Sequence, residues 1–286
     1  MVIYHDASCA EYSQPGHPER PSRVTRTTAA LRERHPDWRW STPKMASPGA
    51  LSRAHSATHL ARIEAGDTAY DADTPAYPDI SAHAARASGA AIAVAQTTLR
   101  GQPALSLMRP PGHHATRDRA MGFCYFNHVA VAALDALSGG NTRVAIWDFD
   151  AHHGNGTEEI VAGSEGIRFA SVHQFPAYPG TGARSFDNII NLPIAPMTPR
   201  SQHMAALRDS LDQLLASNPE LLLVSAGFDA YIGDPITQMT LQLEDFATLG
   251  EWLREAAVPT GAILEGGYSD DLPDLIDAFL SAWNPR

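Results

Sequence analysis

The stretch Val144-Ala-Ile-Trp-Asp-Phe-Asp-Ala-His-His-Gly-Asn-Gly-Thr157 decides how the chain is read. Its first four residues form a short apolar run of the kind used by a parallel strand covered on both faces. Asp148, Asp150 and His152 follow at alternate positions. Along an extended chain such positions share one side, so two carboxylates and an imidazole are expected to converge at the strand's exit. Gly154 and Gly156 are then expected to let the backbone turn sharply. In open α/β sheets, ligands bind beyond the carboxyl ends of the strands. Two Asp and one His with room for water match a catalytic zinc shell. A helix N-cap would account for one acidic residue in such a place, but not for Asp-x-Asp-x-His-His-Gly-Asn-Gly as a unit.

Working outward, apolar runs at 2–4, 104–108, 167–173, 221–225 and 261–264 predict further strands. Helices are expected over 22–33, 56–64, 84–99, 127–137, 201–216 and 241–256, with others starting near Thr157 and closing the chain. Residues 67–79 hold Asp, Pro and Tyr without periodicity and are expected to form an exposed loop. Alternating strands and helices imply an α/β fold with a largely parallel sheet flanked by helices. The 286 residues suit one domain, 1–286, and 44% hydrophobic residues suffice for a sizeable core.

A net charge of −11 argues against nucleic acid as a partner. Cys9 and Cys124, the two cysteines, have neither metal-type nor redox-type spacing, which fits a reducing cytosol. The start, MVIYHDAS, lacks the layout of a signal peptide, and no apolar run approaches the ~20 residues of a membrane span. A cytoplasmic protein without a membrane partner is expected.

The polar motifs share one phase, each following an apolar strand: His113-His114, Asp148 to His153, Asp229 and Tyr268. Adjacent histidines in a loop anchored by Pro-Pro-Gly suggest acid–base chemistry near neutral pH; a lone histidine would more often bond backbone. Asp229 either caps a turn or completes the metal shell as its third protein ligand. Tyr268, after Gly266-Gly267, is either an ordinary strand-end tyrosine or a mobile proton donor beside the site.

Taken together, HPERPSR (17–23), RPPGHHA (109–115), GFCYFN (122–127), WDFDAHHGNGT (147–157), SVHQFPAYPGTG (171–182), SAGFDAYIGDP (225–235) and LEGGY (264–268) resemble the zinc-dependent histone deacetylase superfamily, which includes acetylpolyamine amidohydrolases. The motifs occur in the family's order and span nearly the whole chain. Asn155 and the Glu-Gly-Gly-Tyr ending are similar to its class II branch. The resemblance implies a three-layer arginase/deacetylase-like architecture and a hydrolase removing acyl groups from lysine side chains. It implies zinc on Asp150, His152 and Asp229. His113 would pair with Asp148 as an electrostatic support, and His114, beside Asn155, would be general base and then general acid. Tyr268 would bond the substrate carbonyl. Gly122, Phe123 and Tyr178 would line the acyl-lysine channel, with Ile236 and Gly267 beside them. A potassium ion would take the side chains of Asp148 and Ser171 and the backbone carbonyls of Asp148, Asp150, His152 and Val172. Acyl-lysine peptides or proteins, or acylated small amines, would be substrates, and hydroxamates inhibitors.

Three departures bear on substrate choice and packing. His128 stands where many relatives have Asn or Asp, and Ile236 where polyamine-specific relatives carry an acidic gatekeeper. The loop between Tyr4 and His17 is short and no dimer-forming insertion is seen, so an open rim is expected; Asp73 in that rim either grips a substrate backbone or is simply solvated. The other readings are acetylpolyamine deacetylation, a catalytically silent acyl-lysine binder and an arginase-like dimanganese hydrolase. A silent binder would lack Tyr268 or a zinc ligand. A dimanganese site would need additional Asp ligands.

Overall fold

The computed structural model describes residues 1–285. Eight strands form one sheet: β1 (Val2–Tyr4), β2 (Arg39–Ser41), β3 (Ala104–Ser106), β4 (Val144–Asp148), β5 (Ile167–Gln174), β6 (Ile189–Ile194), β7 (Leu221–Ala226) and β8 (Thr260–Leu264). Their order is β2-β1-β3-β8-β7-β4-β5-β6, and every neighbouring pair is parallel. All strands therefore end at one edge. Across that edge Ser106 lies level with Ile263, Ile263 with Ser225, Ser225 with Asp148, and Asp148 with Ser171.

Helices cover both faces, as a parallel sheet requires. They are α1 (Ser22–Arg34), α2 (Pro48–Ala54), α3 (Ala57–Ala65), α4 (Ile80–Leu99), α5 (His128–Ser138), α6 (Asn155–Val161), α7 (Arg200–Leu215), α8 (Leu243–Glu255) and α9 (Leu272–Trp283). Alternation along β4 shows how the layers are made. Val144 and Ile146 pack with Val129, Ala132 and Ala133 of α5, whereas Ala145 and Trp147 belong to the cluster holding Leu207, Leu211 and Leu214 of α7. Trp147 also donates its indole N–H to Ser210 Oγ at 2.9 Å, so the polar edge of a fully buried ring is satisfied.

The expected strands and helices are present with ends shifted by a few residues. Three elements carried no recognised signal. Strand β2 is three residues at the sheet edge, too short for a period. Strand β6 contains Pro193, which weakens the reading of a strand but is tolerated at the other edge. Helix α2 is seven residues long; its cap, Ser47 accepting from Ala50 N–H with Pro48 in the first turn, was a legible start signal. Among the described residues no helix is long and apolar enough to cross a membrane.

Candidate active site

The loops leaving β3, β4, β7 and β8 meet at the common edge. After Asp148 the chain is no longer extended, and the alternation expected to align Asp148, Asp150 and His152 ends there. Side-chain-to-backbone bonds orient the segment instead. Asp148 Oδ1 accepts from Asp150 N–H at 3.1 Å, and Asp150 Oδ1 accepts from His152 N–H at 2.9 Å. Asp148 is thereby turned toward His113, and its place in the cluster goes to Asp229 at the end of β7. Donor atoms of Asp150, His152 and Asp229 all lie within 4.8 Å of one another. Backbone N–H groups aim the carboxylates: Gly266 N–H reaches Asp150 Oδ2 at 2.7 Å, and Ala151 N–H reaches Asp229 Oδ1 at 2.8 Å.

Glycines around this cluster allow close approach. A Cβ on Gly154 would sit 2.3 Å from Asp148 Oδ2, and one on Gly156 2.2 Å from the Ala115 carbonyl oxygen. Neither glycine has a positive φ, so the sharp turn expected of them is not their role. A Cβ on Gly266 would stand 2.5 Å from both Asp150 Oδ2 and Asp229 Oδ2.

The donor chemistry fits a divalent cation. Asp150 and Asp229 are fully buried, and His152 Nδ1 stands 3.2 Å from Asp150 Oδ1 and 2.8 Å from Asp229 Oδ2. Burial opposes a charged His152, but Asp229 and Asp150 outweigh it and hold the imidazole well above its ordinary range. Two carboxylates in so dry a place demand a positive charge, which a bound metal supplies in place of that proton.

The two adjacent histidines are driven apart. His113 Nδ1 lies 3.0 Å from Asp148 Oδ2. Burial opposes its charge, yet Asp150, Asp148 and Glu265 raise it to about 10. His114 Nδ1 lies 2.8 Å from Asn155 Oδ1, which can only accept, so Nδ1 carries the hydrogen. Burial, aided by the charges of His113 and His152, holds His114 well below its ordinary range. Its Nε2 is left with a free lone pair.

A cavity of about 300 Å³ opens onto this constellation. His114, His152 and Tyr268 form its inner wall, and Gly122, Phe123 and Tyr178 its sides. Tyr178 stands edge-on to His114, with ring centres 5.1 Å apart. A Cβ on Gly122 would strike His114 Cδ2 at 2.5 Å. Phe123 takes a left-handed φ of 68°, secured by its N–H bond to Thr74 Oγ1 at 3.1 Å. At the mouth stand Pro18, Ile236 and Asp73, the last exposed, with its backbone N–H bonded to Asp71 Oδ1 and its carbonyl accepting from His17 Nε2.

Gly267 is not part of the cavity wall. Its φ is +114°, and its carbonyl accepts from Arg23 Nε at 2.7 Å. Arg23 also bonds the Glu265 carbonyl through Nη2 and lays its guanidinium over the Tyr268 ring, 4.8 Å from the centroid. Tyr268 N–H is held by Asp234 Oδ2 at 2.7 Å. Each residue of 265–268 thus has a backbone anchor. Ser171 and Val172 lie on β5, both buried, with Ser171 Oγ 3.0 Å from His173 Nδ1 and the residue level with Asp148. His128 is a packing residue: Nε2–H donates to the Pro110 carbonyl at 3.0 Å and Nδ1 accepts from Ser88 Oγ at 2.8 Å, tying the histidine loop to α4. Sequence reasoning missed Arg23, Asp234 and Glu265 as individuals; each sits inside a quoted motif, but none has a local pattern that names its partner.

The histone deacetylase domain family matches residues 17–282. A probable deacetylase of Methanothermobacter thermautotrophicus is 34% identical, over 95% of this chain and 86% of its own. The solved HDA15 HD domain superposes with a TM-score of 0.93 at 27% identity, covering all of this chain and 91% of that one. An acetylpolyamine aminohydrolase from Burkholderia pseudomallei gives 0.91 at 25% identity, covering all of this chain and 99% of its own.

Proposed function

The chain belongs to the histone deacetylase domain family, and on that premise we propose that it is a zinc-dependent amidohydrolase removing acetyl or other acyl groups from lysine side chains. The observation that carries this reading is His114: a neutral imidazole in the cavity wall, its Nδ1–H committed to Asn155, beside the Asp150–His152–Asp229 cluster.

Asp150, His152 and Asp229 would hold the zinc, which when bound acts as a Lewis acid on the amide carbonyl and makes water acidic enough to attack. His114 Nε2 takes the proton of the attacking water and returns it to the leaving amine. His113, paired through Nδ1 with Asp148, would lend electrostatic support to the same place. The Tyr268 hydroxyl donates to the carbonyl oxygen as charge grows on it. Gly122, Phe123 and Tyr178 confine the acyl-bearing chain and exclude water. The potassium site assigned to Asp148 and Ser171, with carbonyls of Asp148, Asp150, His152 and Val172, belongs to the same proposal, as does inhibition by hydroxamates.

The test is turnover of acetyl-lysine peptides by metal-defined enzyme. His114→Ala is expected to abolish it and His113→Ala to lower it less; near-normal turnover in His114→Ala removes that residue from the mechanism. A second reading, acetylpolyamine hydrolysis, is favoured by the Burkholderia neighbour and by exposed Asp73 at the mouth. Against it, apolar Ile236 offers no fixed partner to a second ammonium group as it loses water. Acyl-lysine peptides should exceed acetylspermidine in kcat/KM; the reverse order selects the polyamine reading.

A further inference from the structure

Glu265 is fully buried at the end of β8, and its carboxylate reaches back across the edge of the sheet to the histidine loop. Its Oε2 accepts from the backbone N–H of Gly112 at 2.7 Å and of His113 at 3.0 Å, while Ser225 Oγ donates to Oε1 at 3.3 Å. The next peptide, between His113 and His114, is gripped from the opposite side. The His113 carbonyl accepts from Gly156 N–H and Thr157 N–H, each at 3.1 Å, at the start of α6. The backbone bearing the two histidines is therefore held between a carboxylate and a helix terminus.

Glue alone does not call for a carboxylate here. A buried charge is costly unless paired, and among the described residues no Lys or Arg side chain is hydrogen-bonded to this carboxylate; Arg23 bonds only its backbone carbonyl. An acceptor oxygen able to take two adjacent N–H groups at once is what this position supplies. Where a reacting group must stand within a fraction of an ångström, holding its own peptide is the direct way to aim it.

We propose that Glu265 is a positioning residue whose carboxylate, by accepting the Gly112 and His113 N–H groups, fixes the aim of the His113–His114 pair into the cavity. This rests on the amidohydrolase reading, since it acts through His114. Glu265→Leu leaves two buried N–H groups unpaired and frees the turn. Its kcat is expected to fall about 10²-fold, the cost of a misplaced reacting group, with KM within about threefold of wild type and metal content unchanged. Glu265→Gln keeps an acceptor oxygen and is expected to recover kcat to within about fivefold of wild type. In a His114→Ala background, read with an activated trifluoroacetyl-lysine substrate, Glu265→Leu is expected to cost nothing further, because residues acting as a unit are not additive.

Unchanged kcat in Glu265→Leu, a full additional loss in the His114→Ala background, or a Gln variant as slow as Leu would each overturn the proposal. If the Leu variant does not fold, Gln carries the test alone, and a loss beyond about tenfold overturns it. A wild-type enzyme inactive on acyl-amides, or near-normal turnover of acetyl-lysine by His114→Ala, strikes the function itself and not this positioning role.

Discussion

His113 and His114 are neighbours in the chain with opposite electrostatics. Asp150 and Asp148 beside one, and neutral Asn155 behind the other, make the difference: carboxylates stabilise imidazolium, and a neutral acceptor leaves burial, aided by the charges of His113 and His152, to win. Tyr268 faces the same cavity from the end of β8, and burial pushes its phenol well above its usual range, so it remains a donor at any working pH. Tyr268→Phe should therefore keep its metal and bind substrate with nearly unchanged affinity, yet lose roughly 10²–10³ in kcat, as removal of one oxyanion donor does. Equal kcat for acetyl-lysine at equal metal content would leave the phenol as a wall of the channel. A trifluoroacetyl group, whose carbonyl needs less help, should recover part of the loss.

At the scale of elements, α7 shows what a clean helical stripe hides. His203, Leu207, Ser210, Leu211 and Leu214 are its buried positions, spaced as one face of a helix. His203 opens that stripe only 1% exposed, and neither ring nitrogen has a partner among the described residues. Burial lowers it from 6.5 to about 4. As pH falls, the unfolded chain therefore takes up this proton before the folded one. The contribution to stability is complete above pH 6.5 and is lost toward pH 4. His203→Leu should raise the urea midpoint at pH 8, since a buried unpaired polar group costs roughly 1–3 kcal/mol. It should also make the acid loss of stability shallower by up to about one proton. Denaturation midpoints measured from pH 8 to pH 4.5 check both; a lower midpoint at pH 8 would show that the ring has a partner or a packing role.

For the whole molecule, the strand order is what assembles the site. Strands β3, β8, β7 and β4 are consecutive in the sheet, so the loops carrying His113-His114, Tyr268, Asp229 and Asp150–His152 lie side by side. That convergence gathers buried carboxylates which the fold holds together only against their repulsion. Binding of a divalent ion to the folded form alone should stabilise it by roughly 4 kcal/mol at a thousandfold excess over Kd, on the order of 10 °C in Tm for a chain of this size. Chelation should lower Tm accordingly and zinc should restore it. In Asp229→Ala, which lacks one of the three donors, Tm should be insensitive to both treatments. A wild-type Tm indifferent to chelator would argue against a metal at this cluster.

Much of this was legible in one dimension. Apolar runs, breakers and caps depend on neighbours a few residues away, so most strands and helices, the parallel class and the placement of polar motifs at strand ends follow from the chain itself. Family motifs carried Asp150, His152 and Asp229 to their positions. Tertiary structure decided the rest. It set the strand order and made glycines 154 and 156 points of close approach to Asp148 and Ala115. It also brought Arg23 and Asp234 to the backbone of the Gly266-Gly267-Tyr268 segment. Glu265 meets Gly112 across 153 residues. No periodicity encodes a partner at that distance: the charge a side chain carries and the group it aims are set by what the folded sheet brings beside it.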